Sequence, residues 1–103
     1  MSSGTALGGG IDCENSVLSL TGCTVNANQA NGVDAKGGGI YALGSTVDVE
    51  NSNVNGNQAN GSVVGKGGGI YFSKGVSGSL KLVSTNVKGN KASTSDNDIF
   101  KGP

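Results

Sequence analysis

Paired carboxylates are the first chemistry this chain offers. Asp12 with Glu14, and Asp48 with Glu50, stand two residues apart, and on an extended strand such residues project from one face. Two carboxyl groups so placed are the material of general acid and base catalysis on a sugar linkage. The partners of such a site are missing, because the chain contains no His and no Arg. The repeats described below set Asp48 between Ser19 and Lys81, and Glu50 between Thr21 and Val83. Those rows read as a solvated face with one cross-strand ion pair rather than as an acid/base site.

Other candidate groups are sparse. Asp96-Asn97-Asp98 could offer oxygen ligands to a cation, but reads first as a turn closing a repeat, with Ile99 and Phe100 beginning another. Gly37-x-Gly39-x-x-Ala42 loosely matches a dinucleotide loop, yet it recurs and opens no helix, and Gly61 to Lys66 lacks the Ser or Thr of a phosphate loop. No cofactor or metal is expected. Tyr41 and Tyr71 occupy one outward position in successive repeats. Stacked there, they form either a platform for a sugar ring or partner surface, or a cross-strand aromatic pair that steadies the sheet. Cys13 and Cys23 fall at inward positions that suit small buried thiols, and a disulfide between them stays open. Asn60-Gly61-Ser62 has the form of an N-glycosylation acceptor.

The elements that must position these residues come from a repeat. Gly-Gly-Gly-Ile occurs at residues 8–11, 37–40 and 67–70. Each run is followed by an alternating segment and then by Val-Asn-Ala-Asn-Gln-Ala, Val-Asn-Gly-Asn-Gln-Ala or Val-Lys-Gly-Asn-Lys-Ala. A period near 30 residues marks a solenoid, whose units bury an apolar face only by stacking. The units run over 8–36, 37–66 and 67–96, within a single domain covering 1–103. Period two puts Leu18 and Leu20, Val47 and Val49, and Leu80 and Leu82 on one face. The expected fold is all-β: a parallel β-helix of about three coils, with three short strands in each. Its internal ladders are Ile11, Ile40 and Ile70; Val25, Val54 and Val87; and Ala30, Ala59 and Ala92. Asn28, Asn57 and Asn90 form an amide ladder at a corner, where Asn also suits a left-handed bend. The segments from Asn31 to Lys36 and from Asn60 to Lys66 are expected to project as loops, and an insertion around Lys74 to Ser77 leaves the third coil.

Composition agrees with a thin core: 34% apolar residues and 4 aromatics cannot fill a broad one. Lysines and carboxylates balance at seven each, so net charge points to no nucleic-acid partner. The distribution is uneven. Residues 1–50 carry five carboxylates against Lys36, and the remainder six lysines against Asp96 and Asp98. A stack acidic at one end and basic at the other is suited to end-to-end self-association. No window resembles a membrane helix or an export signal, and the open edges of a three-coil stack suggest a piece of a longer solenoid.

With Gly37-Gly-Gly-Ile-Tyr41 followed by Val54-Asn-Gly-Asn57-Gln-Ala59, the chain resembles the polymorphic outer membrane protein repeat of autotransporter passengers. That family belongs to the broader pectin-lyase-like group of β-helices. Gly stands here for the Ala before Ile, and Val for the Phe of the second motif. The resemblance implies a right-handed helix and a secreted or cell-surface location, typically the bacterial outer membrane. It also implies attachment to the membrane only through a separate barrel or anchor, and a structural or adhesive role toward a host-cell surface protein or glycan. It supplies no catalytic residue, so the chain is expected not to be an enzyme. The alternative is a carbohydrate-binding or polysaccharide lyase-like module.

Overall fold

A computed structural model of the chain describes residues 5–75, 78–94 and 97–102, and among these it holds fourteen strands and no helix. After β1 (Thr5–Leu7), the first coil runs through β2 (Ile11–Glu14), β3 (Val17–Thr21), β4 (Thr24–Asn26) and β5 (Gln29–Lys36). The second repeats it as β6 (Ile40–Leu43), β7 (Thr46–Glu50), β8 (Asn53–Asn55) and β9 (Gln58–Lys66). The third is β10 (Ile70–Ser73), β11 (Ser79–Val83), β12 (Asn86–Lys88) and β13 (Lys91–Ala92), and β14 (Ile99–Gly102) starts another turn.

Each strand pairs in parallel with its equivalent one coil away, giving four sheets: β1-β5-β9-β13, β14-β10-β6-β2, β11-β7-β3 and β12-β8-β4. The architecture is therefore the parallel β-solenoid that the repeat period predicts. Like stacks on like: Ile11, Ile40, Ile70 and Ile99 lie in register, as do Val25, Val54 and Val87 and Ala30, Ala59 and Ala92. Ile40, Val47, Val49, Val54 and Ile70 are wholly buried in the main core. Ile11, Leu18 and Leu20 at one end, and Leu80, Leu82, Val87 and Ile99 at the other, are only partly buried, since each lacks a coil on one side.

Four strands per coil replace the three expected from the sequence. The extra one is the segment read as a projecting loop, which is paired backbone in β5 and β9 with an irregularity between Gly32 and Asp34. These strands are folded on themselves. A Cβ on Gly65 would lie 2.5 Å from the carbonyl oxygen of Ala59, whereas six residues of straight strand span about 20 Å. The two arms enclose a second, small core of Ala30, Ala35, Ala59 and Ala92. Asn, Gly and Ser look like loop because strand propensity reports side-chain packing. Here the coil-to-coil ladder pairs the backbone whatever the side chain. Val33 and Val63, near the bends, are exposed. Of the inserted segment, Gly78 N–H closes a turn onto Lys74 C=O at 2.8 Å; Val76 and Ser77 lie outside the described residues.

The coils turn at residues with positive φ, and the position before the amide ladder is the clearest example: Ala27 (57°), Gly56 (64°) and Gly89 (67°). The bend expected at Asn28, Asn57 and Asn90 therefore falls one residue earlier, which frees the asparagine side chains to point inward. Ala27 holds a conformation that costs an L-residue about 1 kcal/mol. Ala27→Gly is expected to stabilise the chain by about 0.5–1 kcal/mol in urea unfolding, because the same register carries glycine in both later coils.

Candidate functional site

The aromatic row lies on strand one of the second and third coils and continues on β14. Tyr41 and Tyr71 are register partners, and so are Tyr71 and Phe100. Their rings stack with centroids 5.3 and 4.5 Å apart and interplanar angles of 19° and 15°. Lys36 Nζ lies 5.5 Å from the Tyr71 centroid and Lys66 Nζ 5.2 Å from that of Phe100, close enough for cation–π attraction. Tyr41 is buried at 6% exposure. Both faces of the Tyr71 ring are taken by neighbouring rings, so a ligand is left ring edges and hydroxyls. This geometry favours the steadying role over the sugar platform. The sequence signal for the missed members was the order Ile99-Phe100 mirroring Ile40-Tyr41 and Ile70-Tyr71, with Lys36 and Lys66 each directly before a glycine run.

Asp12 continues the row as the register partner of Tyr41. The Asp12 charge, a hydrogen bond from its side chain and slight desolvation hold the Glu14 carboxyl above its ordinary range. Burial first, then the charges of Glu14, Tyr71 and Asp12, push the Tyr41 phenol up. A phenol that keeps its proton better when folded leaves stability intact below the unfolded value of about 10, and erodes it as pH rises from there through the folded value. In a Tyr71→Phe variant, the one remaining phenolate absorbance should appear above pH 10 in the folded chain and near 10 in urea.

The second carboxylate pair falls where the sequence puts it, with Asp48 between Ser19 and Lys81 and Glu50 between Thr21 and Val83. The expected ion pair does not engage Asp48 Oδ1, which is buried without a hydrogen-bond partner among the described residues. Lys81 is exposed, on the edge strand of its sheet. No group of three or more metal-ligating side chains occurs among the described residues.

The remaining sequence candidates serve the stack. Asn57 is fully buried: its Nδ2 donates to Val25 C=O (2.8 Å) and Asn90 Oδ1 (3.0 Å), while its Oδ1 accepts from Asn28 N–H (3.0 Å) and Asn28 Nδ2 (3.1 Å). Asn90 repeats this toward Val54 C=O at 3.0 Å. Above it, Asp98 Oδ1 accepts from Asn90 N–H (3.2 Å) and Nδ2 (3.0 Å). Asp98 is in register with Gly69, the third glycine of its run, where a Cβ would meet the Asn90 amide at 2.7 Å. One coil further on, that space holds no asparagine among the described residues, so a carboxylate fills it as the last rung. Asn97 Oδ1 accepts from Ala92 N–H at 3.0 Å; Asp96 lies outside the described residues.

Hydroxyls line other corners. Ser45 Oγ donates to Leu43 C=O (2.9 Å) and accepts from Ser16 N–H (3.1 Å). Ser52 Oγ donates to Glu50 C=O (2.8 Å) and accepts from Cys23 N–H (3.0 Å). Cys23 keeps this pattern weakly, with Sγ donating to Thr21 C=O at 3.4 Å, and Cys13 is buried beside Ala42; both thiols are free. The Asn60 amide nitrogen of the sequon donates to Asn31 Oδ1 (2.9 Å) and Gln58 Oε1 (3.1 Å), so in the folded chain it is occupied. One open groove of about 430 Å³ runs along the stack over Ala27, Gly56 and Gly89, flanked by Asn26, Asn55 and Lys88.

Comparison of the chain with protein-family models, curated proteins and solved structures finds no match. The likeness to the outer membrane protein repeat thus rests on the quoted motifs alone.

Proposed function

We propose that this chain is a structural or adhesive segment of a secreted or surface-displayed β-solenoid, with no catalytic activity of its own. The observation that supports this reading is the use made of the polar residues that repeat. Asn28, Asn57 and Asn90, Ser45, Ser52 and Thr85 all bond between coils or to their own corner, which leaves them no chemistry to perform. The outward row Ser19-Asp48-Lys81 changes character from coil to coil, and the chain has no His or Arg to complete an acid/base site around its carboxylate. A role in holding position, and in presenting a surface to a host protein or glycan, is what such a stack offers. The resemblance to autotransporter passengers points the same way and suggests the bacterial cell surface.

The test is retention of host cells on a surface coated with the folded chain, compared with the same density of chain unfolded by reduced stability (Asn57→Ala, below). Retention by the folded form alone supports an adhesive role, equal retention by both opposes the reading, and retention by neither restricts it to the structural role.

A further inference from the structure

The sequence holds three Asn-Gly pairs: Asn31-Gly32, Asn55-Gly56 and Asn60-Gly61. Such a pair carries its own chemistry. The glycine nitrogen can attack the asparagine side-chain carbonyl, and glycine, with no Cβ, leaves that approach unobstructed. The fold decides which pair reacts, because the two groups must be free and the backbone must turn to bring them together.

We propose that Asn55 is a self-modification site: in the folded chain it cyclises with Gly56 and opens to aspartyl and isoaspartyl products, ahead of Asn31 and Asn60. This goes beyond the scaffold reading and needs only the solenoid. Asn60 Nδ2 is held by Asn31 Oδ1 (2.9 Å) and Gln58 Oε1 (3.1 Å), and Gly61 N–H donates to Ser93 Oγ (3.0 Å). Asn31 has both side-chain atoms engaged, its Nδ2 by Gln29 Oε1 at 3.3 Å. Both residues lie inside long paired strands, β9 and β5.

Asn55 differs on each count. Neither its carboxamide nor Gly56 N–H makes a hydrogen bond among the described residues. Asn55 is the last residue of β8, so the rotation that brings the Gly56 nitrogen onto Cγ falls at a turn. The bond to its carbonyl, from Ala27 N–H, is long at 3.3 Å. Both residues line the open groove, where a Cβ on Gly56 would meet nothing closer than the Ala27 nitrogen at 3.7 Å. Water and hydroxide therefore reach the site. It belongs to the middle coil, with Asn26 and Lys88 in register with Asn55 on either side.

Hydroxide takes the Gly56 N–H proton, the nitrogen attacks Asn55 Cγ, and the Cγ–Nδ2 bond breaks as ammonia leaves with a proton from water. Water then opens the cyclic imide. Breaking the nitrogen's bond to Cγ gives aspartate. Breaking its bond to the former main-chain carbonyl gives isoaspartate, whose backbone runs through Cβ and Cγ and is longer by one methylene. Either product adds a carboxylate at the register position of Lys88. The isoaspartyl form also lengthens the corner that aims the buried Asn57 into its ladder.

The full chain is incubated at neutral and at mildly alkaline pH, folded and in urea, and each Asn-Gly peptide is followed by mass spectrometry with isoaspartate resolved by chromatography. In the folded chain Asn55 should convert about tenfold or more ahead of Asn31 and Asn60, which must first open locally. Its rate should rise with pH, and in urea the three pairs should converge. The isolated isoaspartyl form should unfold at lower urea than an Asn55→Asp variant, which carries the charge without the extra methylene. Conversion of Asn31 or Asn60 as fast as Asn55 in the folded chain, or an Asn55 that stays intact there, would overturn the proposal. An isoaspartyl form as stable as the Asn55→Asp variant would overturn the link to the Asn57 rung.

Discussion

Asn57→Ala should cost about 3–5 kcal/mol in urea unfolding, and on a domain of this size that removes most of the folded population at 37 °C. The substitution deletes no apolar contact of consequence. It strips the partner from Val25 C=O on one side, from the N–H and Nδ2 of Asn28 on the same rung, and the side-chain donor from Asn90 Oδ1. A buried polar group left without a partner forfeits about 1–3 kcal/mol, and the site is closed to water at 0% exposure. Asn28→Ala is the internal control. Asn28 sits at the end of the same ladder and is partly exposed, so water replaces what is lost and the cost should be about 1 kcal/mol. Equal costs at the two positions would mean that the ladder is not the buried element described.

Gly38→Ala should be at least as damaging, by more than about 3 kcal/mol, and for a different reason. A Cβ there would overlap the backbone carbonyls of Gln58 and Gly68, and neither can move without shifting a coil. The run before strand one passes against the corner leading into strand four, and a Cβ on its neighbour Gly39 would lie 3.0 Å from the Asn57 amide. That close approach explains why three glycines recur together. Gly22→Ala makes the comparison sharp, because a Cβ there meets nothing within 4 Å and only the positive φ of 62° is penalised. About 1 kcal/mol is expected. A urea series in which Gly22→Ala proved the worse of the two would contradict the narrow cross-section.

Much of this fold was legible because a solenoid repeats its reasons. Ile40 and Val54 could be assigned to ladders from spacing alone, and the structure stacks them in the register expected. The parity of Val47 and Val49 gave the buried face directly. What sequence missed lies where side chains do not report the backbone. β5 and β9 are paired although their Asn, Gly and Ser read as loop, and the left-handed corner residue is Ala27, a type with no preference for that conformation. In the sequence Asp98 reads as part of a turn or as a cation ligand. Its place as a substitute rung became visible only once the register of Gly69 was known. The spacing puts Tyr41 and Tyr71 in one row, but its burial and its continuation through Phe100 depend on how tightly rings pack between coils. The functional reading was less legible, since residues that hold coils together are drawn from the same polar types that perform chemistry.

The central claim is that the carboxylates of this stack do no chemistry. Its most direct test is to incubate the folded chain with a panel of acidic and neutral polysaccharides and count new chain ends, beside a variant with Asp12→Asn, Glu14→Gln, Asp48→Asn and Glu50→Gln. The expected result is no new ends from either protein. New ends produced by the unaltered chain and absent with the variant would contradict it and make the chain a polysaccharide-cleaving enzyme.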